Sequence, residues 1–333
     1  MDDQSTIRWG VAGTGSMASV FVDDFRHVDG AELVAVGSRD AERGRNFASR
    51  RGIAQSFGSY RELCASPDVD IVYVATPHPQ HKAIALEAIR NHKAVLVEKA
   101  FTATLAGAQE VVDAATAEGV FCMEAMWTRF QPVARELRRI VDAGKLGPIR
   151  TLQGGLLTHR EFDESDRLFA PELGGGALLD LGVYPISFAH DLLGMPDEFV
   201  ARGTLFDNGV DAQASMLATW SGGQLAALSC GLQASGPNRL VIVGDKGWAE
   251  VAPPFHCSSK LLVHRTGVPP REMHLPLVGN GYSHEIEHVN QCLREGRLQS
   301  DIMPLKDTLE VMELLESATT QVGVHHVEDD LLV

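Results

Sequence analysis

The sequence predicts an α/β Rossmann domain with a mostly parallel sheet, joined to an α+β C-terminal domain with a large, predominantly antiparallel open sheet. Three observations predict it. A glycine-rich turn follows the first apolar run, and short buried strands then alternate with helical patterns. Beyond about residue 125 the pattern changes to longer alternating strands with Gly- and Asn-containing turns. The expected division is therefore 1–125, an NADP-binding Rossmann domain, and 126–333, a substrate-binding and oligomerisation domain.

Ile7 to Val11 reads as a buried strand, and Gly13-Thr14-Gly15-Ser16-Met17-Ala18 follows as G-x-G-x-x-A at the opening of a helix. Each small residue has a mechanical use. Gly13 turns the chain sharply, Gly15 lets a pyrophosphate approach the backbone, and Ala18 lets helix and strand pack closely. Free N–H groups at the helix start then face the anion. The next strand, Ala31 to Gly37, ends in Ser38-Arg39-Asp40. An NAD enzyme places a carboxylate there against the ribose 2′-hydroxyl, whereas an NADP enzyme places arginine and small polar groups against the 2′-phosphate. Ser38 and Arg39 point to NADP. NAD stays possible through Asp40, and the plainer alternative is a solvated turn in which Asp40 caps the following helix.

Helical patterns over Ala41 to Arg51 and Arg61 to Ser66 lead to a third strand, Asp70 to Ala75, ending in Thr76-Pro77-His78. A helix from His81 to Asn91 precedes a fourth strand, Ala94 to Glu98, ending at Lys99. Another helix, Leu105 to Glu118, leads to a fifth strand near Val120 to Met123. Ligands gather beyond the carboxyl ends of such strands, where Gly13, Ser38, Thr76 and Lys99 all fall. The second half begins with an amphipathic helix, Pro132 to Ala143. Strands follow at Ile149 to Thr158, Phe199 to Leu205, Ala212 to Thr219, Gln224 to Cys230 and Leu240 to Val243. One helix, Ala177 to Leu193, interrupts them, and two more, Ser283 to Glu295 and Leu305 to Gln321, close the chain.

The formal net charge of −15 argues against nucleic acid or an anionic membrane as partner, since both need a basic surface. Five scattered cysteines form no C-x-x-C pair, and no window approaches a membrane span, so a cytoplasmic location is expected. His284-Glu285-Ile286-Glu287-His288 is a literal H-E-x-x-H, but no third ligand follows at suitable spacing, and no metal site is expected.

Two constellations carry chemistry. Lys99 stands beside Glu98 at a strand end, a surface charge in most proteins but a cofactor-cleft residue in this sheet order. In Gly174-Gly175-Gly176-Ala177-Leu178-Leu179-Asp180-Leu181-Gly182-Val183-Tyr184, Asp180 and Tyr184 share one helical face. The alternative for that pair is a core tyrosine whose hydroxyl is satisfied by the aspartate.

Together with Thr76-Pro77-His78, Glu98-Lys99 and Glu124-Ala125-Met126-Trp127-Thr128-Arg129-Phe130, these motifs resemble the glucose-fructose oxidoreductase and inositol dehydrogenase (Gfo/Idh/MocA) family. Gly281 to Val289 and Met303-Pro304-Leu305 resemble its closing helices. Within the family, the Trp127 to Phe130 stretch and Tyr184 look most like the dimeric dihydrodiol dehydrogenase and NADP-dependent xylose dehydrogenase branch. The resemblance implies that Lys99, Asp180 and Tyr184 line the nicotinamide end of the cofactor cleft. Tyr184 is then general base in oxidation and general acid in reduction, Lys99 tunes it and holds the substrate oxygen, and Asp180 orients one of them. Trp127, Arg129 and Phe130 form a wall of a sugar or diol pocket. His78 touches the nicotinamide ribose, and His81 stands near the cofactor. The family's Glu-Lys-Pro reads Glu98-Lys99-Ala100 here, which leaves the bond after Lys99 open between cis and trans.

The function so implied is NADP-dependent hydride transfer with a sugar, polyol or cyclic diol, in a homodimer or homotetramer built on the open sheet. The alternative is a non-catalytic dinucleotide-binding regulator of the same fold.

Overall fold

A computed structural model describes residues 6–330. The chain forms two compact units. The first runs up to Trp127 and also takes Val278–Leu309 and the residues from Val327; the second comprises Thr128–Leu277 and Glu310–His326.

The first unit holds six parallel strands in the order β3-β2-β1-β4-β5-β6. They are β1 (Ile7–Ala12), β2 (Ala31–Gly37), β3 (Gln55–Phe57), β4 (Ile71–Val74), β5 (Ala94–Glu98) and β6 (Cys122–Ala125). Helices α1 (Ser16–Asp23), α2 (Ala41–Arg51), α3 (Tyr60–Ala65), α4 (His81–Arg90) and α5 (Leu105–Glu118) make the crossovers. The central strands are apolar on both faces because helices cover both faces, and Val11, Ile71, Val72, Leu96 and Val97 are all buried. Chain order reverses between β1 and β4, so their carboxyl ends form the crevice where such sheets bind ligands. The short edge strand β3 escapes the sequence reading because three half-buried residues carry no periodicity.

The linear division at residue 125 does not describe these units, because the chain returns to the first. Helix α8 (Ser283–Arg294) packs against β2, and Trp9 Nε1 of the neighbouring β1 donates to Asn290 Oδ1 at 3.0 Å. Asp24, at the end of α1, accepts backbone N–H bonds from Asn280 and Tyr282 at 2.8 Å and from Ser283 at 3.2 Å. A carboxylate from the other end of the sequence thus satisfies the orphan N–H groups at the start of α8.

The second unit is an eight-stranded sheet in the order β14-β13-β12-β11-β7-β10-β9-β8. Its strands are β7 (Ile149–Leu157), β8 (Glu198–Leu205), β9 (Asp211–Thr219), β10 (Leu225–Gly231), β11 (Leu240–Gly244), β12 (Gly247–Val251), β13 (Lys260–Arg265) and β14 (Val268–His274). Every neighbouring pair is antiparallel except β7 and β10. The last three strands go beyond those read from the sequence. In β14 only Met273 is buried and two prolines intervene, a composition tolerated only at a sheet edge. Helices α6 (Pro132–Asp142) and α7 (Val183–Leu193) belong to this unit, and α9 (Leu305–Val322) begins in the first unit and ends here. The single helix expected from Ala177 is divided: Leu178–Gly182 is a π-turn that feeds α7. All five cysteines are free thiols, and no described helix is long and apolar enough to cross a membrane.

Candidate active site

The turn after β1 is built for close approach. Gly13 has φ +116°, and a Cβ there would lie 2.5 Å from the Ala75 carbonyl oxygen, so only glycine lets the loops after β1 and β4 pass this closely. Gly15 caps α1, and a Cβ on it would meet no protein atom within 4 Å. Thr14, Ser16 and Met17 complete a turn whose exposed side faces open space at a helix N-terminus, as a pyrophosphate requires. Beside it, Thr76 presents a buried hydroxyl with no partner among the described residues, a second group suited to a ligand at the switch point.

At the end of β2, Ser38 is buried and Arg39 exposed. Asp40 is engaged elsewhere: its Oδ1 accepts the Glu42 and Arg43 backbone N–H groups at 3.0 Å each and caps α2. Asp40 thus caps the following helix, and Ser38 and Arg39 stand at the strand end. Burial raises the Tyr60 phenol above its ordinary pKa, and the Arg39 and Arg43 guanidinium groups partly offset the rise. Two arginines thus converge on the Tyr60 hydroxyl.

The carboxyl end of β5 is held from below. Glu98 is buried, accepts from the Tyr73 hydroxyl through Oε1, and accepts the Lys99 backbone N–H through Oε2 at 3.2 Å. Burial and the Glu98 carboxylate push the Tyr73 phenol well above its usual range, so Tyr73 stays a donor. Lys99 is buried, and the Lys99–Ala100 peptide bond is cis. His78 and His81 are both buried, with ring centroids 5.6 Å apart. His81 serves the site at one remove. Its Nε2 lies 2.8 Å from the Thr76 carbonyl oxygen, and its Nδ1 lies 3.1 Å from that of Ala100, so the ring ties the loop after β4 to the loop after β5.

In the second unit, the π-turn and α7 carry Asp180 and Tyr184. The extra residue in a π-turn interrupts the α-helical face expected to hold this pair. Asp180 Oδ1 accepts from Arg167 Nη2 at 3.0 Å. The buried Tyr184 ring lies with its centroid 5.3 Å from that of His256, which sits on a short 3-10 turn anchored by Phe255 against Phe188.

The stretch Trp127 to Phe130 forms a 3-10 turn that the unit boundary divides. Trp127 is stacked on Tyr282, 4.4 Å between centroids and 14° between planes, so one of its faces is covered. Arg129 is a buried anchor for α7: Nε donates to Ser187 Oγ at 3.0 Å, and Nη2 lies 3.2 Å from His190 Nδ1. Guanidinium can only donate, so His190 Nδ1 accepts and Nε2 carries the proton toward Glu310 Oε2 at 2.7 Å. These bonds make Arg129 a support for the helix that bears Tyr184. Phe130 is likewise buried.

The H-E-x-x-H residues of α8 serve packing. His288 Nε2 lies 2.7 Å from Ser300 Oγ, the Val278 N–H donates to His284 Nε2 at 3.4 Å, and Glu285 is fully buried. Burial and the nearby Glu98 and Asp24 carboxylates push the Glu285 carboxyl well above the usual range. Sequence reasoning did not single out Tyr73, Tyr282, His256 and Asp211, whose contacts with Glu98, Trp127, Tyr184 and Leu178 follow from pairings distant in sequence.

A parallel sheet with this glycine turn at its switch point and a buried lysine two strands away defines a dinucleotide-dependent oxidoreductase. The chain belongs to the Gfo/Idh/MocA family: residues 7–126 match "Oxidoreductase family, NAD-binding Rossmann fold" and residues 134–250 match the GFO/IDH/MocA C-terminal domain. It is 33% identical over 329 residues to trans-1,2-dihydrobenzene-1,2-diol dehydrogenase of Xenopus tropicalis, covering 95% of this chain and 98% of that one. The enzyme of that name from Macaca fascicularis is 34% identical over 340 residues, covering 97% and 99%. Among solved structures, a 3-ketoreductase from Actinomadura kijaniata in complex with NADP and TDP-benzene superposes with TM-score 0.86 at 26% identity, covering 98% of this chain and 100% of that one. An aldose-aldose oxidoreductase from Caulobacter crescentus complexed with glycerol matches with TM-score 0.86 at 25% identity, covering 95% and 97%.

Proposed function

We propose that the protein is an NADP-dependent oxidoreductase that moves a hydride between the nicotinamide and a carbinol or carbonyl carbon of a sugar, polyol or cyclic trans-diol. The observation that carries this reading is Lys99, a buried amine fixed through its backbone by Glu98 in the same sheet as the dinucleotide turn. A protein that merely sensed the cofactor has no use for that amine. The substrate class rests on relatives named for a trans-diol and on structural neighbours named a 3-ketoreductase and an aldose-aldose oxidoreductase.

Bound NADP supplies the hydride acceptor in oxidation, and NADPH the donor in reduction. The chain's own task is the proton. As the carbinol C–H bond yields its electron pair, the O–H proton passes to the Tyr184 phenolate and a carbonyl forms; in reduction Tyr184 returns it. Lys99 presents its ammonium to the substrate oxygen and stabilises negative charge there. Gly13, Thr14, Gly15, Ser16 and Met17 bind the pyrophosphate, while Ser38 and Arg39 take the 2′-phosphate. Thr76, Pro77 and His78 border the nicotinamide riboside, with His81 and Glu98 holding their loops. Asp180, held by Arg167, orients Tyr184 or Lys99, and Trp127 and Phe130 supply apolar surface. Arg129 acts through α7.

The test is a panel of aldoses, inositols and trans-diols followed by NADPH absorbance, run on wild type, Lys99→Met and Tyr184→Phe. We expect turnover by wild type, a loss of about 100-fold or more in kcat for each variant, and unchanged cofactor affinity. Turnover by Lys99→Met equal to wild type removes Lys99 from the chemistry. Silence of wild type on the whole panel favours a dinucleotide-binding regulator.

A further inference from the structure

We propose that Asp211 is the positioning residue that sets the π-turn bearing Asp180 and Tyr184, an inference that rests on reading Tyr184 as the proton-transfer group. Asp211 is the first residue of β9, is wholly buried, and lies 27 positions beyond Tyr184 in a different element. Its Oδ2 accepts the Leu178 backbone N–H at 2.6 Å, at the first residue of the π-turn. Oδ1 is buried with no partner among the described residues.

The glycine triplet is shaped around this group. Gly176 has φ +128°, and a Cβ there would stand 2.0 Å from Asp211 Oδ1, so the carboxylate occupies the volume of the missing side chain. The chain then enters the π-turn with the N–H of its first residue already satisfied. That matters because a π-turn holds one residue more than the α-helix it interrupts. Relaxation to α geometry removes that residue from the turn and rotates everything beyond by about 100°, the angle per residue of an α-helix. Tyr184 is two residues past the end of the π-turn, so its direction depends on whether the turn persists. The bond from Arg167 fixes Asp180 within the turn, and the bond to Asp211 fixes the turn's entrance. On β10, burial and the Asp211 carboxylate both push the Cys230 thiol up, so it stays protonated at neutral pH.

The acceptor oxygen is the operative feature, which separates positioning from charge and from bulk. Asp211→Ala removes the acceptor, and Asp211→Asn keeps a carbonyl oxygen in the same shape. We measure kcat and KM at saturating NADP on the best substrate of the panel, together with cofactor affinity by fluorescence titration and Tm. Asp211→Ala is expected to lower kcat about 100-fold, the scale on which misplacing a reacting group by about 1 Å acts, with cofactor affinity unchanged. Asp211→Asn is expected to recover kcat to within about 5-fold of wild type, since the N–H bond is remade. A folded Asp211→Ala variant with kcat near wild type overturns the proposal. So does an Asp211→Asn variant that folds with native Tm yet is as slow as Asp211→Ala. If Asp211→Ala does not fold, Asp211→Ser takes its place, because its hydroxyl is too short to hold the Leu178 N–H. Tyr184→Phe, run in parallel, separates the two readings: normal turnover by it ends the reading of Tyr184, whereas its inactivity beside a normal Asp211→Ala ends only the role of Asp211.

Discussion

Asp211 and His326 carry opposite linkages in the same range of pH. Burial pushes the Asp211 carboxyl from 3.8 up to about 6, and it pushes the His326 imidazole from 6.5 down to about 4. Between about pH 4 and 6 the native chain keeps a proton on Asp211 that the unfolded chain has released, so this contribution to stability falls as pH rises. Over nearly the same window the unfolded chain protonates His326 while the native chain does not, so that contribution rises with pH. Each has a ceiling of roughly 3 kcal/mol. The two slopes oppose one another in the wild type, and single substitutions separate them. Urea unfolding between pH 4.5 and 6.5 is expected to show a steeper gain of stability with pH for Asp211→Asn, and a loss with pH for His326→Gln. Parallel curves for all three proteins contradict the burial of these groups. Neither behaviour was legible in the sequence, where Asp211 is a polar residue before an alternating strand and His326 belongs to a polar tail.

At the scale of elements, the sequence was read most accurately where a cap or glycine stands beside a periodic run. Helix Ala41–Arg51 begins after Asp40 and ends before the left-handed Gly52, and helix Leu105–Glu118 lies between Thr104 and the left-handed Gly119. The same logic decides the cofactor prediction. The carboxylate of Asp40 is engaged in capping α2, which leaves Ser38 and Arg39 as the groups proposed to meet the cofactor at the end of β2. NADP is therefore expected to bind at least about 10-fold more tightly than NAD. Arg39→Ala should lose about 10- to 100-fold in NADP affinity, the range of a hydrogen bond between charged groups, while NAD is unaffected. Isothermal titration decides it: tighter binding of NAD, or NADP affinity intact in Arg39→Ala, refutes the Ser38 and Arg39 reading. The π-turn was not legible, because nothing in Leu178-Leu179-Asp180-Leu181-Gly182 distinguishes an inserted residue from an ordinary helical one.

On the scale of the whole molecule, the remaining proposal concerns the exposed face of the eight-stranded sheet. Val200, Leu217 and Leu225 are each between 47% and 50% exposed, on strands where one shared face would be expected to be polar. The registers Val200 with Leu217 and Leu225 with Thr219 put all three on that face, forming one apolar patch across β8, β9 and β10. Such a patch fits a second copy of the chain. Light scattering is expected to give a dimer or tetramer, and Leu217→Glu to shift it to a smaller species. A monomeric wild type at micromolar concentration removes the proposal.

Local order along the chain determined the parallel and antiparallel halves, the dinucleotide turn, the lysine at a strand end and the family. Those signals lie within a few residues of one another, where backbone sterics, capping and hydrophobic period act directly. Tertiary structure alone decided that Val278–Leu309 rejoins the first unit, that Asp24 caps α8, that Arg129 braces α7, and that Asp211 meets Leu178. The last three of these pair a buried polar group with a partner between 33 and 259 positions away. The requirement that such groups be satisfied is general, but which partner satisfies them is set only when the chain has folded.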